Sequence, residues 1–485
     1  MIPLSRIAGR ILKWIGLVAG SLVLIALLLF ALAFAINWRD EPLTPQARAL
    51  LTPPPNSLKP EDNIYLAMAG FSAPSGVSVT ATGQARIQRY NERLDAVLHD
   101  PSAQALGSLN AADPQALLFV GQADFVHPLS ASVWNEVGAH RADIEVLIAQ
   151  NAELYQRYQA LERLPGYYET ARPSYLAPPV YVPTEVRYLF LEETALRLRS
   201  GSAGEQREAL TELLADIALW RRVLRGEGLL ISKLLALAYL QSDLLVLADL
   251  IADPRAPLPV GEGDAEAVAP LFAPGDFALD AAFAAEFRVQ ASLLEQTQYL
   301  YTIAWSPQPA HLSERSALDR LGSAVSGHFF KLNATVNLFA QQVQRLDSIA
   351  PGPGIAATDR RLADSSSTAW STVGVYNPIG KLLAGLAAPM GVNYPLRAWD
   401  VAALQRLVRA GYEIRRRQTP KADIPAFLGQ HPEWATHPGD GRPFAWSPDS
   451  LEISVQTIGE QPAGRRFSIR VWEPQPRLAP PAPPR

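Results

Sequence analysis

Residues 229–251 read LLISKLLALAYLQSDLLVLADLI, and the architecture turns on whether this stretch crosses a membrane or fills a protein core. Its length suits either, because about 20 apolar helical residues span a hydrocarbon layer of about 30 Å. The interruptions decide between them. Ser232, Lys233, Gln241, Ser242, Asp243 and Asp249 fall all along it, and Lys233 and Asp243 would each be costly in lipid. A helix apolar nearly all round belongs instead at the centre of a helical protein. It ends at Asp253-Pro254, because proline disfavours helical geometry in the residue before it.

Outward from this helix the apolar residues recur three and four apart. Leu210, Leu213, Leu214, Ile217, Trp220 and Leu224 form one such face, and Ile144, Leu147, Ile148, Tyr155 and Tyr158 another. Phe329, Leu332, Val336, Phe339, Val343 and Leu346 give a third, and Val401, Leu404, Leu407, Val408 and Tyr412 a fourth. Residues 281–304 form a further apolar helix. Pro, Gly and Ser clusters mark loops at 254–276, 306–316 and 348–376, with Asn377-Pro378 opening the next helix. No fixed-period repeat is visible.

The period changes near the C-terminus. Leu451, Ile453 and Val455 alternate with polar residues, as do Phe467, Ile469 and Val471, which predicts a small antiparallel sheet with Phe444-Ala445-Trp446 as a third short strand. Residues 474–485 hold six prolines and read as an extended tail.

The other long apolar run, residues 14–36, has 23 consecutive uncharged residues, preceded by Arg6, Arg10 and Lys13 and followed by Arg39-Asp40-Glu41. It has the length and purity of a membrane helix, and the excess of cations before it places the N-terminus in the cytoplasm. Ala33-Phe34-Ala35 offers a signal-peptide cleavage pattern, but the run is longer than a cleavable segment of about 7–15 residues, so a retained anchor is expected. Gly16 and Gly20 form a small-xxx-small step suited to pairing two such helices in a homodimer.

Removing residues 1–37 leaves 40 Lys and Arg against 47 Asp and Glu, a net charge of −7, which excludes a nucleic-acid partner held through phosphates. The chain has no cysteine, which excludes disulfides, thiolate metal sites and thiol nucleophiles. Arginine outnumbers lysine 37 to 6 in an Ala- and Pro-rich chain, a composition typical of GC-rich bacteria, so the 448 residues beyond the run are expected in the periplasm.

The expected fold is thus mainly α: an N-terminal transmembrane helix, a multi-helix periplasmic domain and a small C-terminal β element. The expected divisions are 1–37 anchor, 38–62 Pro-rich extended tether, 63–420 helical domain, 421–473 β cap and 474–485 tail.

Chemistry-bearing residues are sparse. Seven tyrosines, at 155, 158, 167, 168, 175, 181 and 188, fall within 34 residues among five prolines. Rings on a stiff loop suit a glycan or peptide by stacking and hydroxyl hydrogen bonds, and Tyr167, Tyr168, Tyr175, Tyr181 and Arg172 are the expected ligand-binding residues. The competing expectation is that these rings pack on neighbouring helices. Glu193 and Asp243 lie on apolar stripes, where acid/base carboxylates and Arg-paired structural carboxylates both occur. His431, Glu433 and His437 cluster in a proline- and glycine-rich segment that reads as surface turns rather than a metal site, so no metal or cofactor is expected. The common nucleophile, phosphate-loop and dinucleotide motifs are absent, so the chain reads as an envelope scaffold or interaction protein rather than an enzyme. The alternative is an envelope hydrolase or a glycan- or peptide-binding enzyme that uses the Tyr-rich loop.

Residues 396–459 run from a helix ending Arg415-Arg416-Arg417 through Ile424-Pro425-Ala426-Phe427-Leu428 and His437-Pro438-Gly439-Asp440-Gly441-Arg442-Pro443-Phe444 to a strand closing in Thr457-Ile458-Gly459. This resembles the tail of uncharacterised membrane-anchored proteobacterial envelope proteins, as does Asn377-Pro378-Ile379-Gly380-Lys381. The same turn and strand are similar to the C-terminal end of type II secretion pseudopilins. The resemblance implies an envelope location. Two departures set the chain apart from a pilin subunit: there is no Gly-Phe-x4-Glu processing site, and the loop at 459–464 lacks a calcium-holding Asp pair.

Overall fold

In chain order the helices are α1 Leu4–Ile36, α2 Pro45–Leu51, α3 Ile64–Ala69, α4 Val79–His99, α5 Arg141–Gln150, α6 Ala152–Leu161, α7 Thr184–Ser200 and α8 Ala203–Arg225. They continue as α9 Leu230–Ala252, α10 Asp280–Thr302, α11 Ala317–His328, α12 Leu332–Asp347, α13 Pro378–Ala387, α14 Asn393–Arg416 and α15 Ile424–Gln430. Strands β1 Ala445–Ser447, β2 Glu452–Gln456 and β3 Arg466–Arg470 form an antiparallel sheet in that order. This computed structural model describes residues 4–99, 114–123, 137–178, 180–253, 277–302, 317–347, 374–387, 393–459 and 466–471. The loops expected at 254–276 and 306–316, all but the last residues of the loop at 348–376, and the tail at 474–485 lie outside the described residues.

The chain divides into two compact units that do not follow sequence order. Residues 1–52, 290–344 and 361–390 form unit 1, and 53–289, 345–360 and 391–485 form unit 2. The stretch 63–420, expected as one helical domain, therefore contributes to both.

Unit 2 is built round α9, the helix of the opening stretch. As its composition requires, it is mostly buried, and it packs against α8, α14 and β3. Its Lys233 and the buried Arg415 find acceptors at helix ends, where orphan carbonyls and the helix dipole favour cations. Lys233 Nζ donates to Val223 O at 2.6 Å and Gly226 O at 2.5 Å, closing α8, and Arg415 Nη1 donates to Leu250 O and Ile251 O, both at 2.9 Å, closing α9. Burial pulls the Lys233 ammonium down to about 8 against Glu169 and Glu227, and Arg415 down to about 10 against Asp253. At its start, α8 carries a capping box, in which Ser202 accepts from Glu205 N and Glu205 accepts from Ser202 N.

The small sheet buries Ile453, Val455, Phe467 and Ile469 on alternate positions, as the sequence pattern requires. The segment expected as a β cap opens with helix rather than strand, because Pro425 stands in the first turn of α15, where its missing N–H costs nothing.

The Pro-rich stretch is not an extended tether. Pro45 opens α2 with Thr44 capping Ala47 N, and Pro60 begins a single 3-10 turn. Prolines at helix starts promote the elements that their density seemed to forbid. In unit 1, residues 37–46 run along α12: Asp40 accepts from Asn333 N and Ala334 N, Thr44 N donates to Asn337 Oδ1, and Gln46 Nε2 donates to Ala340 O. Residues 13–36 of α1 meet the length and hydropathy of a membrane span, with mean hydropathy 2.8 and no burial, a test that a signal sequence also passes.

Candidate functional site

Two adjoining cavities of about 450 and 320 Å³ in unit 2 share Asn56 and Thr170 and so form one groove. The first is lined by Leu58, Leu66, Gln84, Ile87, Gln88 and Asn91 among others, an apolar floor rimmed by carboxamides. The second is lined by Pro53, Tyr168, Glu169, Arg172, Glu227 and Arg288 among others, and is the charged end.

Two asparagines hold the groove's central strand of chain in place. Asn63 Oδ1 accepts from Tyr168 N at 3.1 Å while its Nδ2 donates to Tyr168 O at 2.8 Å. Asn91 does the same one step on, donating to Thr170 O and accepting from Arg172 N at 2.7 Å. Each side chain offers the donor and acceptor that a neighbouring strand would, and so fixes the course of residues 168–172. Tyr168 pairs with Glu227 through an isolated parallel bridge, and its hydroxyl donates to Pro54 O at 2.7 Å, pinning the 53–60 segment as the opposite wall. Close approach requires glycine at 226, where a Cβ would stand 2.2 Å from Tyr167 O, whereas one on Gly228 would meet the Glu169 side chain at 2.6 Å.

The charged end is a set of paired groups. Glu169 accepts from Tyr167 OH at 2.7 Å and Ser232 Oγ at 2.6 Å. Glu227 forms an ion pair with Arg288 in which both side chains are at most one-tenth exposed; burial raises the Glu227 carboxyl and Arg288 opposes it. Arg172 forks onto both oxygens of Asp95 at 2.8 and 2.9 Å. Glu286 accepts from Leu230 N at 2.9 Å, capping α9 beside the cleft. Such a wall offers a ligand fixed dipoles and a ring face rather than an activated nucleophile.

Of the expected ligand residues, Tyr168 and Arg172 line the second cavity. Tyr167 is buried beneath it, its ring facing Lys233 Nζ at 4.9 Å, and its hydroxyl is consumed by Glu169. Tyr175 and Tyr181 are more than half exposed and line neither cavity. Tyr155 and Tyr158 pack inward on Phe190. The tyrosine cluster is thus divided among self-packing, the groove and exposed surface.

Glu193 takes Tyr155 OH at 2.9 Å and lies 3.5 Å from Arg197, its carboxyl raised by burial. Asp243 contacts Arg187, which also lies 3.0 Å from Asp216, and all three are fully buried. Both therefore occupy the Arg-paired structural role. His437 is fully buried with Nε2 3.2 Å from Asp400 and Nδ1 accepting from Gly439 N, and His431 lies 3.1 Å from Glu433. His437 is therefore a buried anchor rather than the surface turn residue expected, because Asp400 receives it inside the protein, and no group of three or more potential ligands occurs among the described residues.

Asn63, Asn91, Glu227 and Arg288 are missed by the sequence reading. Only the Gly226-Glu227-Gly228 turn between two helices marks any of them, a charged residue held where backbone must approach closely.

Comparison with protein-family models, with curated proteins and with solved structures gives no match. The likeness of residues 396–459 to envelope proteins therefore rests on those residues alone.

Proposed function

We propose that this chain is a single-pass protein of a bacterial inner membrane, N-terminus cytoplasmic, whose unit 2 lies in the periplasm and works as an envelope interaction protein by receiving a segment of a partner protein in the Asn56–Thr170 groove. The groove carries the proposal. Its carboxamides and Tyr168 supply hydrogen bonds, and its apolar floor supplies burial. A retained anchor is supported by the use unit 1 makes of it, since Phe34 stacks on His328 with ring centroids 3.4 Å apart. Cleavage after Ala35 would remove that partner. Gly16 and Gly20 have no neighbour within 4 Å and stay open to a second copy of the helix. The second helix that meets the span criteria, α9, is 72% buried, which favours a single crossing.

A photoreactive residue in place of Gln88 or Tyr168, in the full chain in native membranes, tests the groove. One discrete species should be captured from both positions and not from exposed Val146. Capture from neither, or equally from Val146, contradicts the reading. The hydrolase alternative has one observation in its favour, two carboxylates, Glu169 and Glu227, lining one cavity. It predicts that Glu227→Gln abolishes turnover of a captured species while leaving its capture intact.

A further inference from the structure

The outer end of α1 is covered by side chains of unit 1. A helix leaves its last carbonyls without helical partners, and side chains, a closing turn or water satisfy them. Here Ala33 O accepts from Asn37 N at 3.2 Å and Asn37 Nδ2 at 2.8 Å, and Ala35 O accepts from Trp38 N at 3.2 Å. Phe34 O lies 2.8 Å from His328 Nε2, and because a carbonyl only accepts, that nitrogen carries the proton. The two backbone bonds are the ordinary closing turn of a helix, while the side chains of Asn37 and His328 add cover that suits an apolar surrounding.

The same corner reaches back along the apolar helix. Phe329 packs on Phe30 with ring centroids 6.0 Å apart, and Phe30 lies six residues before the helix end, about 9 Å at about 1.5 Å per residue. That matches the roughly 5–10 Å depth at which apolar faces sit in the headgroup boundary. Trp38 is 68% exposed at this end and Trp14 70% at the other, the positions where tryptophan marks the two membrane surfaces. Val375, whose carbonyl accepts from Asn37 Nδ2, exposes half of its apolar side chain at the same level. The first acidic groups beyond, Asp40 and Glu41, are turned onto α12.

We propose that His328, Phe329, Trp38 and Val375 form a collar immersed in the membrane interface, so that unit 1 contacts lipid directly and α1 is a clamped rather than a freely swivelling anchor. Continuity with the exposed apolar surface of α1 identifies lipid as the occupant. The proposal rests on α1 spanning the bilayer.

The chain has no cysteine, so single nitroxide labels can be placed at will. Full-length protein carrying Leu24→Cys, Val375→Cys or Val77→Cys is reconstituted in phosphatidylethanolamine–phosphatidylglycerol vesicles, and collision with oxygen and with a water-soluble nickel chelate is measured. The expected result is loss of nickel accessibility at 375, intermediate between mid-span 24 and aqueous 77, with oxygen collisions retained. Nickel access at 375 equal to that at 77, with 24 shielded, overturns the collar and leaves the span standing. Shielding of 375 from both reagents points to a protein partner and also overturns it. Nickel access at 24 overturns the span and the collar together.

Discussion

Arg187 faces Asp216 and Asp243 in a fully buried triad, with Tyr158 OH donating to Asp216 at 2.7 Å and Trp220 Nε1 donating to Tyr158 at 3.2 Å. One guanidinium cannot neutralise two carboxylates away from water, so burial first and Asp216 second push the Asp243 carboxyl well up. A carboxyl raised above its unfolded value, near ~3.9, contributes stability that is full below that value and lost as pH rises through the folded one. Asp243→Asn, which imitates the protonated acid, should therefore gain on the wild type in urea midpoint from acid pH to pH 8; a gap that stays constant with pH would contradict the assignment. Arg187→Met, which leaves buried acid uncompensated, should cost about 3–5 kcal/mol in the same titration. Asp243 stands out in the sequence as a carboxylate on an apolar stripe. Its partners do not, because they come from α7 and α8 and no spacing along the chain encodes that meeting.

At the scale of elements, helix positions are legible wherever apolar residues repeat, and the core role of α9 follows from the polar residues that interrupt it, Lys233 and Gln241-Ser242-Asp243 above all. Backbone contacts were not legible. Helices α3 and α4 touch through glycine: a Cβ on Gly83 would stand 1.9 Å from Leu66 O, and one on Gly70 1.9 Å from Val79 O. Gly83→Ala should destabilise on the order of 3 kcal/mol by forcing the helices apart. Gly204→Ala in α8, whose Cβ would meet nothing closer than 3.9 Å, should be neutral or stabilising by up to about 1 kcal/mol in the same denaturation assay. The turn that carries the envelope-protein resemblance also has a physical basis. Asp400 accepts from Ile458 N at 2.8 Å, Gly459 N at 2.9 Å and the buried His437, fastening the end of β2 to α14. Asp400→Ala should cost on the order of 3 kcal/mol and speed amide exchange across β2 more than across α9.

For the whole molecule, the two apolar runs have opposite fates, one buried at the centre of unit 2 and the other exposed along its length. Composition distinguished them, but the division into two units could not be read from it, because unit 1 is assembled from three separated pieces of chain. The groove was half legible: the tyrosine-rich loop drew attention to Tyr168 and Arg172, while the asparagines that set its shape look like ordinary surface residues. An anchored chain with this topology presents the groove outside the cytoplasm. Labelling of Gln84→Cys, at the exposed groove rim, and Ser5→Cys in intact cells with a small membrane-impermeant maleimide tests it most directly. Residue 84 should be labelled and residue 5 protected until the membrane is opened; protection at 84 with labelling at 5, or protection at both, would overturn this topology.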